Sequence, residues 1–230
     1  VLTGARQVGK TTLLKMMFHQ IDDTLWLNAD ESPVRDRLSK QSVENLKGVV
    51  GKYKWVVIDE IQRIANAGLL LKILADHFQN TQFFVTGSSA LDIADNIFEP
   101  LTGRHLLFHL HPLMMGEMYP KLSSFEFEQK CDFHLVHGCY PDVYNHPDAA
   151  AILLKNLASQ YLYKDVLAWK DIRKPQLLEK LLQLLAHQAG SEVSYAELAE
   201  QLHIKSETVE SYIDLLEKSF VVFRLSAMSN

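Results

Sequence analysis

The 230 residues are enough for one medium domain and one or two small ones, and 47% hydrophobic with 22% charged residues predicts a substantial core. No apolar run approaches the roughly 20 residues that cross a bilayer, so we expect no membrane partner. The formal net charge of −5 argues against a protein that coats nucleic acid. Cys131 and Cys139 have no companion set of metal ligands, which predicts reduced thiols and a cytoplasmic protein.

A glycine-rich stretch opens the chain, directly after the apolar pair Val1-Leu2, which is typical of the end of a strand. Two glycines separated by four residues are followed by a lysine and a hydroxyl residue, and then by an apolar helical pattern. In such a loop, backbone N–H groups and a helix N-terminus converge on phosphate. A glycine-rich turn that binds nothing is the alternative, but the strand–loop–helix context favours a nucleotide site. Its predicted binding residues are Gly4, Ala5, Arg6, Gln7, Val8, Gly9, Lys10, Thr11 and Thr12.

Two side chains of this loop have separate predicted roles. Lys10 can reach the outer phosphates as a point charge, which makes it a catalytic as well as a binding candidate. The hydroxyl of Thr11 can be a ligand of Mg²⁺. We therefore expect Mg²⁺ to accompany the nucleotide.

The second informative stretch is the apolar run from Lys54 to Ile58, typical of a strand buried on both faces, which ends in Asp59 and Glu60. A carboxylate at the tip of a central parallel strand can hold the Mg²⁺ of a nucleotide, and we predict this role for Asp59. Glu60 points differently and is predicted to activate the water that attacks the γ-phosphate. Alone, the pattern is more typical of a strand and a solvated turn, but the upstream loop favours the functional interpretation.

Hydroxyl residues follow a further predicted strand, residues 81–85. We predict that Thr86 and Ser88 sense the γ-phosphate or the attacking water, although capping of the next helix is an equally good interpretation. Arg104 precedes a strand predicted over residues 105–110 and is a candidate cation for the charge of the transition state. A surface ion pair is at least as good an interpretation of Arg104.

In this order along the chain, the motifs resemble a prokaryotic AAA-type P-loop ATPase family whose members carry a C-terminal domain of unknown function. This sequence departs from the family pattern at Met115, two residues before Glu117, where such proteins more often have an aromatic residue. The resemblance implies ATP as the nucleotide, because the residues themselves do not identify the base. The resemblance to this family rests on residues 4–12, 59–63, 86–89 and 101–104 and continues through 111–117, 138–142 and 215–225.

The same resemblance implies an ATPase core, a helical region, a winged-helix-like module and a further domain beyond Asn230. We also expect the chain to be a fragment that lacks sequence at both ends. It begins inside the strand that precedes the phosphate loop and stops in the strand-like segment 220–225.

The last part of the chain has a helix-turn-helix pattern. Ser194 with Glu197 is typical of a capped helix start, Ser206 begins a third helix, and residues 220–225 are predicted to form a wing strand. Residues 176–220 contain three lysines and eight acidic residues, a net charge that phosphates would repel. DNA binding is therefore possible but disfavoured. We expect protein contact instead, with an unidentified partner or with the protein's own missing C-terminal domain.

Together these patterns predict an α/β fold, a P-loop NTPase with a parallel sheet sandwiched by helices. The predicted boundaries are 1–112 for the ATPase core, 113–170 for a helical region and 171–230 for a winged-helix-like module. The predicted function is Mg²⁺-dependent hydrolysis of ATP to ADP and phosphate, coupled to rearrangement of the C-terminal modules. The alternative is a nucleotide-gated protein- or DNA-binding switch with little hydrolysis. The oligomeric state and the source of any partner cation stay open.

Overall fold

The computed structural model describes residues 1–87, 101–161 and 175–225, and the side chains of residues 160, 161 and 175 are not described. The chain divides into two compact units, Val1–Leu153 and Leu154–Asn230. The predicted three-part division at 112/113 and 170/171 stays a prediction. Within the described ranges, no helix combines the length and apolar character that crossing a bilayer requires.

A parallel sheet forms the centre of the first unit, as the sequence predicts. Its order is β2-β3-β4-β1-β5, and every strand pair is parallel. The strands are β1 (Leu2–Thr3), β2 (Thr24–Asn28), β3 (Trp55–Asp59), β4 (Gln82–Gly87) and β5 (Phe108–His109). The predicted strand over 105–110 is therefore shorter in the structure, and the one over 81–85 extends two residues further.

Helices and one 3-10 turn connect these strands and continue the chain beyond them. They are α1 (Lys10–Phe18), α2 (Ser32–Ser39), α3 (Val43–Val50), the 3-10 helix Ile61–Arg63, α4 (Ala67–His77), α5 (Met115–Met118), α6 (Ser124–His137) and α7 (Pro141–Asn145). A second 3-10 helix, Pro147–Ala149, leads into α8 (Ala150–Tyr161).

The alternation of side chains along β3 divides the core of the first unit into two layers. Val56 and Ile58 belong to the larger cluster, which α2, α3 and α4 cover with fully buried leucines. Val57 belongs to the opposite layer, where α1 contributes Leu14 and Phe18. Each buried aliphatic side chain of this kind stabilises the fold by about 2 kcal/mol. Helices thus cover the sheet on both faces.

Gly4 joins β1 to the loop at a point where no other residue fits. Its φ is +154°, and a β-carbon built on it would overlap the carbonyl oxygen of Leu110. Leu110 is held there because its N–H donates to the carbonyl of Thr3 at 2.7 Å. The loop therefore leaves the sheet in close backbone contact with the chain after β5.

Residues 175–225, the longer described part of the second unit, contain three helices. They are α9 (Pro175–His187), α10 (Tyr195–Leu202) and α11 (Ser206–Lys218). Ser194 caps α10, accepting from the N–H of Glu197 at 3.4 Å. An apolar stripe of α11 is buried at Val209, Tyr212, Ile213 and Leu216. The helical part of the predicted module is therefore present, while its winged-helix character stays a prediction.

The wing strand predicted over residues 220–225 is wrong for the structure, which has no strand there. Phe220 has a left-handed backbone with φ 58°, and the chain turns back along α11. Arg224 then forms an ion pair with Asp214 at 2.7 Å and donates from Nε to Glu217 at 2.7 Å. These contacts hold the segment against its own helix, so its apolar, β-favouring residues do not pair with a strand.

Replacing Gly4 with alanine tests the close approach of the loop to β5. We expect Gly4→Ala to lower the free energy of unfolding by about 1–3 kcal/mol, because a side chain at this φ is strained and overlaps Leu110. Equilibrium urea unfolding followed by tryptophan fluorescence measures this change, since Trp26 and Trp55 pack in the layer under α1.

The matched control is Gly48, which lies inside α3, where an added β-carbon would meet no atom within 4 Å beyond the backbone of its own helix. Gly48→Ala should stabilise the protein by about 0.5–1 kcal/mol, because alanine favours the helix. Equal effects of the two substitutions would show that the loop junction is not constrained as described.

Candidate functional site

The ends of the sheet's central strands bring the predicted site residues to one edge. In the register, Asn28 pairs with Asp59, and Leu2 pairs with Thr86. Because all strands are parallel, their carboxyl ends meet at the edge where the loop begins at Gly4. The glycine-rich loop and the strand-tip carboxylates therefore lie together, although about 50 residues separate them in sequence.

The loop ends in a helix N-terminus that no side chain closes. Gly9, the residue before α1, has φ 97° and makes no side-chain capping bond, and the first turn contains no acidic residue. The N–H groups of such a first turn and the helix dipole favour an anion. Gln7 adds a second left-handed position with φ 61°, while Ala5 and Val8 are buried and fix the loop to the core. These features are those of a phosphate cradle.

Lys10 is buried under this loop, with only 5% of its surface exposed. Its ammonium group donates to the carbonyl oxygens of Gly4 at 2.9 Å and Ala5 at 2.7 Å. Burial lowers the pKa of Lys10 to about 8, although the negative charges of Glu60 and Asp59 act in the opposite direction. Lys10 is therefore a cation held inside the loop.

Asp59 is the meeting point of two hydroxyl groups. The Thr11 hydroxyl lies 3.1 Å from Oδ1 and 2.9 Å from Oδ2 of Asp59, to which it donates. The Thr86 hydroxyl donates to Oδ1 from the neighbouring strand. Asp59 is 4% exposed and Thr86 is fully buried, so these bonds satisfy a carboxylate that water hardly reaches.

Glu60 lies beside Asp59 but leaves the strand in a different direction. Its backbone is left-handed, with φ 57° and ψ 47°, and its N–H donates to the Thr86 hydroxyl at 3.1 Å. Its carboxylate accepts a hydrogen bond from the side-chain amide of Gln62. Sequence reasoning missed Gln62, because a contact between residues two apart depends on the turn at Glu60 that no residue pattern indicates.

The structure thus brings together the side chains of five predicted site residues: Lys10, Thr11, Asp59, Glu60 and Thr86. Of the remaining loop residues, Arg6 is half-buried, while Gln7 and Thr12 are exposed. Ser88 lies outside the described residues. The hydroxyl proton of Thr86 goes to Asp59, so direct contact between Thr86 and a nucleotide stays a prediction.

Arg104 lies at the edge formed by the amino ends of the strands, opposite the edge that carries the phosphate loop. It precedes β5, and its Nε pairs at 2.8 Å with Asp76, which belongs to the last turn of α4. Both side chains are more than one third exposed, so this ion pair adds little stability. The surface ion pair, one of the two interpretations of Arg104, is therefore present. A catalytic role of Arg104 stays a prediction, and its distance from the loop within one chain does not support that role.

The donor set around Asp59 fits Mg²⁺. A carboxylate and a threonine hydroxyl within 3.1 Å of each other offer the hard oxygen ligands that Mg²⁺ prefers. No cluster of three or more His, Cys, Asp or Glu in the described part of the chain is arranged around a metal position. A pair of protein ligands would suit Mg²⁺, which usually keeps several waters.

Comparisons with known proteins identify two domain families in the chain. The AAA domain model matches residues 1–119, and a domain of unknown function (DUF8612) matches residues 128–230. The uncharacterized protein Rv2008c of Mycobacterium tuberculosis is 28% identical over 98% of this chain and 49% of its own length. The uncharacterized protein MJ1637 of Methanocaldococcus jannaschii is 27% identical over 98% of this chain and 56% of its own. The chain spans about half the length of the curated relatives it matches.

A solved structure shares the fold. The ORC2 protein of Aeropyrum pernix, in its ADPNP–ADP complexes, superposes with a TM-score of 0.55 and 14% identity, covering 95% of this chain and 79% of that one. This likeness concerns the fold alone. Because the AAA domain model matches more than half of the residues, the chain belongs to the AAA domain family of P-loop ATPases, with a domain of unknown function in its C-terminal part.

Proposed function

We propose that this protein binds ATP together with Mg²⁺ and hydrolyses it to ADP and phosphate. The AAA domain family supports the coarser statement, a nucleotide-binding and ATPase-like protein. The observation that carries the finer one is the contact of Thr11 with Asp59, at 2.9 and 3.1 Å. It joins the phosphate loop to the tip of β3, as a metal–nucleotide site requires.

The residues divide the work by their position. The loop N–H groups and Lys10 bind the β- and γ-phosphates, and Lys10 exchanges its two carbonyl partners for phosphate oxygens. Thr11 and Asp59 would hold Mg²⁺, which neutralises phosphate charge when bound. Glu60 takes the proton of the water whose oxygen attacks the γ-phosphorus, and ADP leaves.

We further propose that hydrolysis drives rearrangement of the C-terminal modules, and that these modules bind protein rather than DNA. On α11, Glu207 and Glu210 are exposed, and their charges would repel phosphates. The carboxylates of Asp214 and Glu217 are engaged by Arg224. Their negative charge is thus partly neutralised by a residue of the same unit.

The position of Arg104 favours a second candidate function, a nucleotide-gated switch with little hydrolysis. Its ion pair with Asp76 lies at the edge of the sheet opposite the loop. A transition-state cation worth about 10³–10⁵ in rate would then come from a residue other than Arg104, and a neighbouring chain or partner is one source. Slow turnover of the isolated chain, with tight nucleotide binding, is what this candidate predicts.

Two substitutions separate binding from turnover. Lys10→Ala should weaken Mg²⁺–ATP binding at least about tenfold, because it removes the buried cation that contacts the phosphates. Glu60→Gln should leave the dissociation constant within about twofold but lower phosphate release about 10²–10⁴-fold, because the amide does not accept the proton of water. Fluorescent-nucleotide titration and a phosphate-release assay measure the two quantities.

Lys15 provides the control, because it lies on the exposed surface of α1 outside the loop. Lys15→Ala should change neither binding nor release by more than about twofold. Undiminished phosphate release by Glu60→Gln would contradict the role of Glu60 in water activation. Binding without release in the unmutated chain would favour the switch.

The affinity for ATP should fall as the pH rises from 7 to 9.5. The pKa of Lys10 is lowered to about 8 by burial, so above that pH the ammonium group that binds phosphate loses its proton. The expected loss is at most about tenfold per pH unit above pH 8, because one proton is involved. Titrations of fluorescent ATP with Mg²⁺ across this range measure it.

Lys10→Arg is the comparison variant, because a guanidinium group stays charged throughout this range. Its binding is expected to be weaker but independent of pH. A parallel decline of affinity in both proteins would assign the pH dependence to a group other than Lys10.

A further inference from the structure

Three contacts hold Glu60 at the tip of β3. Its backbone N–H donates to the hydroxyl of Thr86 at 3.1 Å, and its carbonyl oxygen accepts from the N–H of Arg63 at 3.0 Å. Its carboxylate oxygen Oε2 accepts from the Nε2 amide of Gln62. Both the backbone and the side chain of Glu60 are therefore fixed by the protein itself.

The backbone conformation of Glu60 brings Gln62 to the carboxylate. With φ 57° and ψ 47°, Glu60 ends the strand in the left-handed region, and the 3-10 helix Ile61–Arg63 begins at once. This conformation costs a residue other than glycine on the order of 1 kcal/mol or more. A turn that is unfavourable in itself, yet present at a predicted catalytic residue, indicates that the position of the side chain matters.

The short helix that carries Gln62 is anchored mainly by the residue before Gln62. Ile61 is fully buried in the larger core cluster. Arg63 also pairs with Asp30, two residues after β2, at 3.0 Å, but both side chains are about half exposed, so this ion pair adds little stability. The amide of Gln62 is thus presented from a fixed backbone, so its contact with Glu60 holds the carboxylate in place.

The held carboxylate lies on the side of the phosphate loop. Its negative charge acts on Lys10, which lies buried in that loop, and raises the pKa of Lys10 against the larger effect of burial. A carboxylate that takes the proton of a water next to the γ-phosphate must face the phosphate loop. In nucleophile–base pairs generally, a third group orients the base.

We propose that Gln62 is a positioning residue for Glu60, holding Oε2 so that the carboxylate keeps the orientation in which it accepts the proton of the attacking water. The inference rests on the proposed hydrolysis and deepens it. In that step the water oxygen bonds to the γ-phosphorus, its proton goes to Glu60, and the bond to the leaving ADP breaks. In this proposal Gln62 acts through its hydrogen bond to Glu60 and not on the reacting atoms themselves.

Gln62→Met tests this role, because methionine has nearly the same length but no amide donor. We expect kcat for ATP to fall about 10- to 100-fold, while KM and the dissociation constant of fluorescent ATP stay within about twofold. A residue that only stabilised the loop would change binding together with turnover. Circular dichroism and thermal unfolding establish that the variant is folded.

Gln41 is the matched control, since its side-chain amide also holds a nearby loop. It donates to the carbonyls of Ala65 at 2.8 Å and Asn66 at 3.2 Å, just beyond the 3-10 helix, without contact to Glu60. Gln41→Met should keep kcat within about twofold. Gln62→Glu, which keeps the shape but replaces the donor by a second carboxylate, should lose at least as much kcat as Gln62→Met.

The outcomes separate this inference from the proposed function. If the unmutated chain hydrolyses ATP and Glu60→Gln does not, but Gln62→Met keeps its kcat, the positioning role is overturned and the function stands. A loss of kcat in Gln41→Met as large as in Gln62→Met also overturns it, since any loop contact would then suffice. Absence of hydrolysis in the unmutated chain overturns both.

Discussion

The buried carboxylate of Asp59 is the constraint on which the site depends. A charge that is 4% exposed must be hydrogen-bonded, or its burial would cost several kcal/mol. Thr11 from the first turn of α1 and Thr86 from β4 provide these bonds. The carboxylate therefore fastens the phosphate loop to two central strands. The same two hydroxyl contacts that stabilise the fold also place an oxygen-rich donor pair at the edge where a nucleotide would bind.

The other groups at this edge follow from their positions around Asp59. Thr86 also accepts the N–H of Glu60, so the hydroxyl that satisfies one carboxylate fixes the backbone of the next residue. Lys10 lies close enough to both carboxylates for their charges to raise its pKa against burial. Lys10 and the two carboxylates are thus held by the loop and strand tips before any ligand contributes. Such preorganisation is what electrostatic catalysis requires.

Much of this arrangement was predictable from the sequence because the spacing is short and the patterns are regular. The glycines and Lys10 mark the loop, and the apolar run before Asp59 marks a strand buried on both faces. Gln62 was not predictable, since its contact depends on the left-handed backbone of Glu60, which only the packed chain imposes.

Two further features of the structure also depend on tertiary contacts. The position of Arg104 depends on the edge of the sheet at which β5 begins. Its partner Asp76 is distant in sequence. The apolar pattern over 220–225 favours a strand, but the contacts of Arg224 with Asp214 and Glu217 hold that segment on α11. Propensity and spacing describe local structure well, whereas the pairing of distant charged groups is decided by the fold.

The most direct test of a metal–nucleotide site at Asp59 is the thermal unfolding shift caused by ATP, measured once with Mg²⁺ and once with a chelator. A ligand that binds only the folded state raises its stability in proportion to the logarithm of its concentration over Kd. The account predicts a larger shift with Mg²⁺ in the unmutated protein, and no such difference in Asp59→Asn, each compared with its own ligand-free midpoint. An equal shift with and without Mg²⁺ in the unmutated protein, or a Mg²⁺-dependent difference that survives in Asp59→Asn, would contradict it.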